Sequence, residues 1–251
     1  MTEKGSNKAV DRPVRQGGFA IKKRVRSLLG SCDFEEALAR SDLPPEKIIN
    51  SLLGSLLETD ESVRWRAVRA IGITVSALAR KDFEQAREIM RRLIWSLNDE
   101  SGGIGWGAPE AMGEIMAENE KLAREYHRIL ISYIDEDGNP LENDLLERGV
   151  LWGIERVAQK WPGLLHDWID PILLQLQSPD PVKRVLSLQT FLHLSRSPGC
   201  PPLPDRLLAL LSPLLEDPSE MRSYRDGSFV QLRIDRLARE LLANLEKGKS
   251  V

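Results

Sequence analysis

The strongest constraint in this chain is self-similarity at a spacing of 41 residues. Trp65-Arg66-Ala67-Val68-Arg69-Ala70-Ile71-Gly72 lies over Trp106-Gly107-Ala108-Pro109-Glu110-Ala111-Met112-Gly113, with Trp, both Ala and Gly coinciding. At a further offset of 46, Trp152-Gly153 falls on Trp106-Gly107. In a fourth unit Val182-Lys183 and Leu186 match Val63-Arg64 and Ala67, and a fifth, Val230 to Leu237, is weaker. A period of this length means stacked supersecondary units, each burying its apolar face against its neighbours.

Each unit reads as two helices. Leu and Ala dominate at helical spacing, and no alternating run of β-branched and aromatic residues announces a strand. First helices are expected near 45–58, 83–97, 120–135, 164–177 and 203–216. Second helices are expected near 61–80, 106–118, 143–160, 180–196 and 228–246. The turns carry Thr59-Asp60, Asn98-Asp99, Asp137-Gly138-Asn139-Pro140, Ser178-Pro179-Asp180-Pro181 and Asp217-Pro218. Short turns between amphipathic helices make antiparallel neighbours. A preceding helix from Phe19 ends at Gly30, and Asp33 is placed to cap a short one over Phe34–Ala39.

The run Asp60-Glu61-Ser62-Val63-Arg64-Trp65-Arg66-Ala67 resembles the HEAT family of helical repeats, with its turn Asp, Val-Arg and small residue in the second helix. Asp180-Pro181-Val182-Lys183 repeats the pattern with Lys. The resemblance covers about 45–246 and implies an all-α fold, a right-handed α/α superhelix of about five helix pairs. The loop Ser101-Gly102-Gly103-Ile104-Gly105-Trp106-Gly107 also resembles an uncharacterised bacterial family of such proteins. Repeat motifs of this kind specify a fold and carry no chemistry.

Charge is unevenly placed. Residues 1–30 hold eight basic and two acidic side chains, whereas the rest holds 27 basic and 36 acidic ones. Residues 1–18, rich in Gly, Ser, Asn and charge, are expected to form a disordered basic arm ahead of one solenoid domain at 19–251. Neither a signal core nor an apolar stretch of about 18 residues occurs, so neither secretion nor a membrane span is expected. Cys32 and Cys200, the two cysteines, form no disulfide or metal pattern, which suits a reduced cytoplasmic setting. No cofactor or metal is called for.

The most unusual segment runs from Asp99 and Glu100 through Gly103, Gly105 and Trp106 to Glu110. Free N–H groups at a helix start suit an anion, but two carboxylates and the wrong glycine spacing oppose a phosphate. Glycines that let helices approach are the plainer reading. Trp65, Trp106 and Trp152 occupy equivalent positions and are expected to form an aromatic ladder. Beside it, equal offsets place Arg69, Glu110 and Arg156 in one charged column, a device that fixes repeat register. Glu110 and Glu114 share a helix face. His127, His166 and His193 lie in no metal or nucleophile motif. The candidate surface is therefore Arg66, Arg69, Asp99, Glu100, Gly103, Gly105, Trp106, Glu110, Glu114, Trp152 and Arg156, with no catalytic residue assigned.

These features favour a non-enzymatic scaffold that binds a protein partner through the concave second-helix face. Nucleic-acid binding through the basic residues 1–30, or base repair of the kind seen in DNA glycosylases that resemble HEAT solenoids, stays open as an alternative. A sequence pI of about 5.8 weighs against it. A role like that of the bilin lyases, which also use HEAT-like repeats, is a second alternative.

Overall fold

The computed structural model describes residues 18–98, 105–198, 203–225 and 227–248. Residues 1–17 of the basic arm, and Asp99, Glu100 and Gly103 of the glycine loop, lie outside them. Two helices lead in, α1 (Gly18–Gly30) and α2 (Phe34–Ala39). Asp33 precedes α2, but its carboxylate takes the Ser31 hydroxyl and makes no side-chain cap. Three regular pairs follow: α3 (Pro45–Ser55) with α4 (Glu61–Lys81), α5 (Phe83–Asn98) with α6 (Ala108–Glu118), and α7 (Glu120–Ser132) with α8 (Asp144–Lys160). In the fourth, the short α9 (Ile169–Leu174) runs into the 3-10 turn Gln175–Gln177, and that turn packs with α10 (Pro181–Arg196). In the fifth, α11 (Arg206–Leu211) and the 3-10 turn Ser212–Glu216 pack with α12 (Ile234–Gly248).

The turn residues do the capping expected of them. Asp60 accepts the amides of Ser62 and Val63 at 2.9 and 3.2 Å, and Asp180 accepts that of Val182 at 2.9 Å. The second helices α4, α6, α8, α10 and α12 stack in sequence, and the first helices line up outside them, giving an all-α superhelix. The core is continuous, with Ala67, Ile71, Met112, Ile115, Ile154 and Leu188 fully buried along the stack. Its tightest seam lies between α6 and α8. A Cβ on Gly113 would come 2.2 Å from the Gly153 Cα, so the two backbones touch where only glycine fits.

The expectation of no strands fails in the fifth pair. The second helix placed at 228–246 begins only at Ile234. Ahead of it, β1 (Glu220–Arg225) and β2 (Ser228–Arg233) pair antiparallel, with Arg225 opposite Ser228 and Tyr224 opposite Phe229. Gly227 sits at φ +84°, the left-handed conformation such a turn requires. An isolated two-stranded hairpin is marginal in water, and this one is held by the solenoid it lies on.

Candidate functional site

The hairpin crosses the face formed by the second helices. Tyr224 stacks on Trp65 of α4, with ring centroids 5.7 Å apart and planes 8° from parallel. Trp65 in turn meets Trp152 of α8 at 4.8 Å. Arg225 Nη1 donates to Glu155 Oε1 of α8 at 2.7 Å, and Arg222 reaches Glu61 of α4 at 3.3 Å. On either side of this aromatic cluster lies a cavity of about 290 Å³. Trp65 and Trp152 wall both.

The expected three-rung tryptophan ladder is therefore corrected. Gly107, at φ +76°, cannot be helical here, so α6 starts at Ala108 and leaves Trp106 in the lead-in turn. Trp152 instead passes α6 to reach Trp65. The 46-residue offset had matched residues across a longer turn, whereas the backbones set Gly113 against Gly153, an offset of 40.

The charged column is corrected too. Glu114, not Glu110, lies between the arginines: it accepts from Arg69 Nη1 at 2.6 Å and from Arg156 Nε at 2.7 Å and Nη2 at 3.1 Å. Gly72 faces Glu114 across the α4–α6 seam, so the long arginine side chains meet the carboxylate one helical turn beyond Glu110. Arg69 also pairs with Glu35 (3.0 Å) and Glu118, and Arg156 with Gln159. Glu114 is only 1% exposed and forms the buried centre of a network whose outer members, Arg69, Glu35 and Glu118, reach the surface. Burial works against the Arg69 charge, yet Glu35, Glu118 and Glu114 together raise its pKa above the ordinary arginine value.

Glu110 has a different surrounding. Its carboxylate lies against Gly149 of α8, where a Cβ would sit 2.6 Å from Oε2, and that oxygen has no hydrogen-bond partner. Burial raises its pKa, a shift that its backbone hydrogen bond and Arg64 oppose. A carboxyl whose folded pKa is raised loses stability as pH climbs from the unfolded value through the folded one. Glu110→Gln is thus expected to raise the melting temperature at pH 7 and to leave it unchanged in acid, below the carboxylate range. An equal shift at both pH values in thermal melts would contradict this assignment.

Of the other candidates, Arg66 Nη1 donates to the Leu29 carbonyl at 3.0 Å and ties α4 to α1. Gly105 lies against α5, its Cβ position 2.8 Å from the Ser96 carbonyl. Trp106 lines one of the two cavities with Glu110 and Trp152, while Arg69, Glu114 and Arg156 line the other. Sequence reading missed the hairpin side chains Ser223, Tyr224 and Arg225. Asp226-Gly227 between Tyr224 and Phe229 was the available signal. It also missed Glu155, wholly buried, which accepts from Arg225 and from His193 Nε2 at 2.7 Å. Burial pushes the Glu155 pKa up, but His193 and Arg225 outweigh it and hold it below the ordinary value. No helix among the described residues is long and apolar enough to cross a membrane.

No family model matches the chain. An uncharacterized protein of Archaeoglobus fulgidus is 30% identical over 118 residues, 47% of this chain and 56% of that protein, so the chain spans little more than half of that relative. Among solved structures, an engineered protein superposes with a TM-score of 0.53 at 13% identity, covering 94% of both chains. A designed armadillo repeat protein gives 0.51 at 14% identity over 94% of this chain and 96% of its own. Another, solved in complex with the peptide (KR)4, gives 0.53 at 13% identity over 94% and 95%. Stacked helix pairs, capped turns and these superpositions together give the chain a helical-repeat solenoid fold like that of the designed armadillo repeat proteins.

Proposed function

We propose that the chain is a non-enzymatic interaction scaffold that binds an extended segment of a protein partner on the concave face of its second helices. The observation that carries this reading is intramolecular. The face already holds an extended segment of its own, β1, through an aromatic stack on Trp65 and an ion pair to Glu155, with a cavity open on each side. A solved neighbour of the same fold is in complex with a peptide, which is consistent with an extended occupant. Charge supports a protein partner over nucleic acid. Arg69, Arg156 and Arg225 are engaged by Glu35, Glu114, Glu118 and Glu155, which breaks up the positive stripe that duplex binding calls for.

Selection of binders from a displayed peptide library tests the proposal. The two exposed residues Arg64 and Lys160, one at each cavity, serve as probes. Arg64→Glu or Lys160→Glu is expected to change the affinity of selected peptides by about tenfold or more at unchanged melting temperature. Peptides insensitive to both, or mapped to the first-helix side, would sink the reading. Duplex binding that collapses between about 50 and 200 mM salt would favour nucleic acid instead.

A further inference from the structure

The hairpin is well held at its two ends. The Asp217 carbonyl accepts the Asp235 amide and the Ser219 carbonyl accepts the Ile234 amide, both at 3.0 Å. Arg184 of α10 donates to the Asp217 carboxylate at 2.8 and 3.1 Å, and Asp235 of α12 pairs with Arg233 and Arg239. The strands also grip each other, with Phe229 edge-on to Tyr224 at 5.2 Å and the Arg222 guanidinium 3.8 Å from the Phe229 ring centre.

The contact of β1 with α4 and α8 is of another quality. Arg225 reaches Glu155 through Nη1 alone, which leaves its Nε and Nη2, and Glu155 Oε2, buried without hydrogen-bond partners. Such atoms oppose docking, because lifting the strand returns them to water. The Arg222–Glu61 pair is 3.3 Å long with both side chains exposed, so it adds little. Against these stand the burial of Ser223 and Tyr224 and the stack on Trp65.

The same geometry says what could take the place of β1. Lifting the strand withdraws Arg225 from Glu155, so a replacement must bring a cation to that buried carboxylate. Consecutive strand side chains point to opposite faces, and here Tyr224 meets Trp65 while Arg225 meets Glu155. The occupant therefore carries an aromatic side chain followed directly by a cation. An arginine on a separate chain is free of the fixed ends at Asp217 and Asp235, and its planar fork can engage both carboxylate oxygens.

We propose that β1 is an internal stand-in for the partner, displaced from Trp65 and Glu155 by an extended peptide carrying an aromatic residue followed by an arginine. This rests on the peptide-scaffold reading and names both its occupant and the segment that keeps the groove filled until the occupant arrives.

The test titrates a blocked peptide with the sequence of Ser219–Arg225 into three forms of the full chain. One is the parent. The second is Tyr224→Ala, which loosens β1. The third carries Glu61→Cys and Arg222→Cys, with Cys32→Ser and Cys200→Ser, and is bridged by a short bis-maleimide or, as its control, capped with N-ethylmaleimide. Tyr224→Ala is expected to bind about tenfold or more tighter than the parent, because the closed fraction no longer weakens the apparent affinity. The bridged chain is expected to bind about tenfold or more weaker than the capped one. Alanine in place of the peptide's arginine is expected to cost about tenfold. Equal affinity within any of these pairs, or no binding by folded Tyr224→Ala, would overturn the proposal. Should that variant fail to fold, the bridged and capped chains decide, and no binding by the capped chain is then a refutation. Library peptides that bind the second-helix face equally in bridged and capped chains would refute displacement and leave the scaffold reading standing.

Discussion

Gly113→Ala is expected to destabilise the protein by about 3 kcal/mol or to abolish folding. The added methyl would stand 2.2 Å from the Gly153 Cα and 2.8 Å from its carbonyl oxygen. Both obstacles are backbone, so no side-chain rotation relieves the clash. The α6–α8 seam must open, and every packed layer beyond it is displaced with it. In a stacked repeat, stability is close to a sum of unit and interface terms, so losing a central interface separates the two halves of the array. Gly54→Ala is the control, because a Cβ there meets nothing within 4 Å. It is expected to be neutral or mildly stabilising as a helical glycine replaced by alanine. Chemical denaturation of the two variants checks this. A Gly113→Ala protein as stable as the parent would mean that the seam is looser than described.

Glu114→Gln is expected to cost about 3–5 kcal/mol. The substitution keeps the shape and removes the charge that Arg69 and Arg156 share. Arg156 then has Gln159 as its remaining side-chain partner, while Arg69 retains Glu35 and Glu118. The penalty therefore comes mainly from the stranded Arg156. It follows that Glu114→Leu combined with Arg156→Leu should recover most of the loss, because an apolar pair leaves no buried charge unmatched. The coupling measured in this double-mutant cycle decides the matter. Additive losses in the double variant would show that Glu114 and Arg156 do not act as a pair.

The helical part of this architecture was readable because it rests on local rules. Asp60 and Asp180 mark helix starts through a cap that spans three residues, and the Leu and Ala spacing fixes which face is buried. The hairpin escaped because its strands are six residues each and rich in Arg. Val230 to Leu237 also matched helical spacing well enough to be joined to α12. Asp226-Gly227 was the one local cue that contradicted this.

The site was readable only in neighbourhood. The span from Glu110 to Glu114, Trp152 and Arg156 does converge on the second-helix face. The pairings inside it did not follow from equal sequence offsets, because offsets count residues and ignore where each helix starts. The left-handed Gly107 delays α6 by two residues, and the Gly113–Gly153 contact sets the height of α8. Together these place Glu114 between the arginines and leave Glu110 unpaired against Gly149.

The sequence by itself determined the repeat, the helix pairs, their caps and the buried stripe, since each depends on residues within a turn or two of one another. Only the tertiary structure decided which carboxylate meets which arginine, and that β1 lies across the second helices. Arg222 is 161 residues from the Glu61 it pairs with, and Arg225 is 70 from Glu155. No local periodicity encodes contacts at that separation; they exist because stacking the helix pairs brings the two ends of the array to the same face.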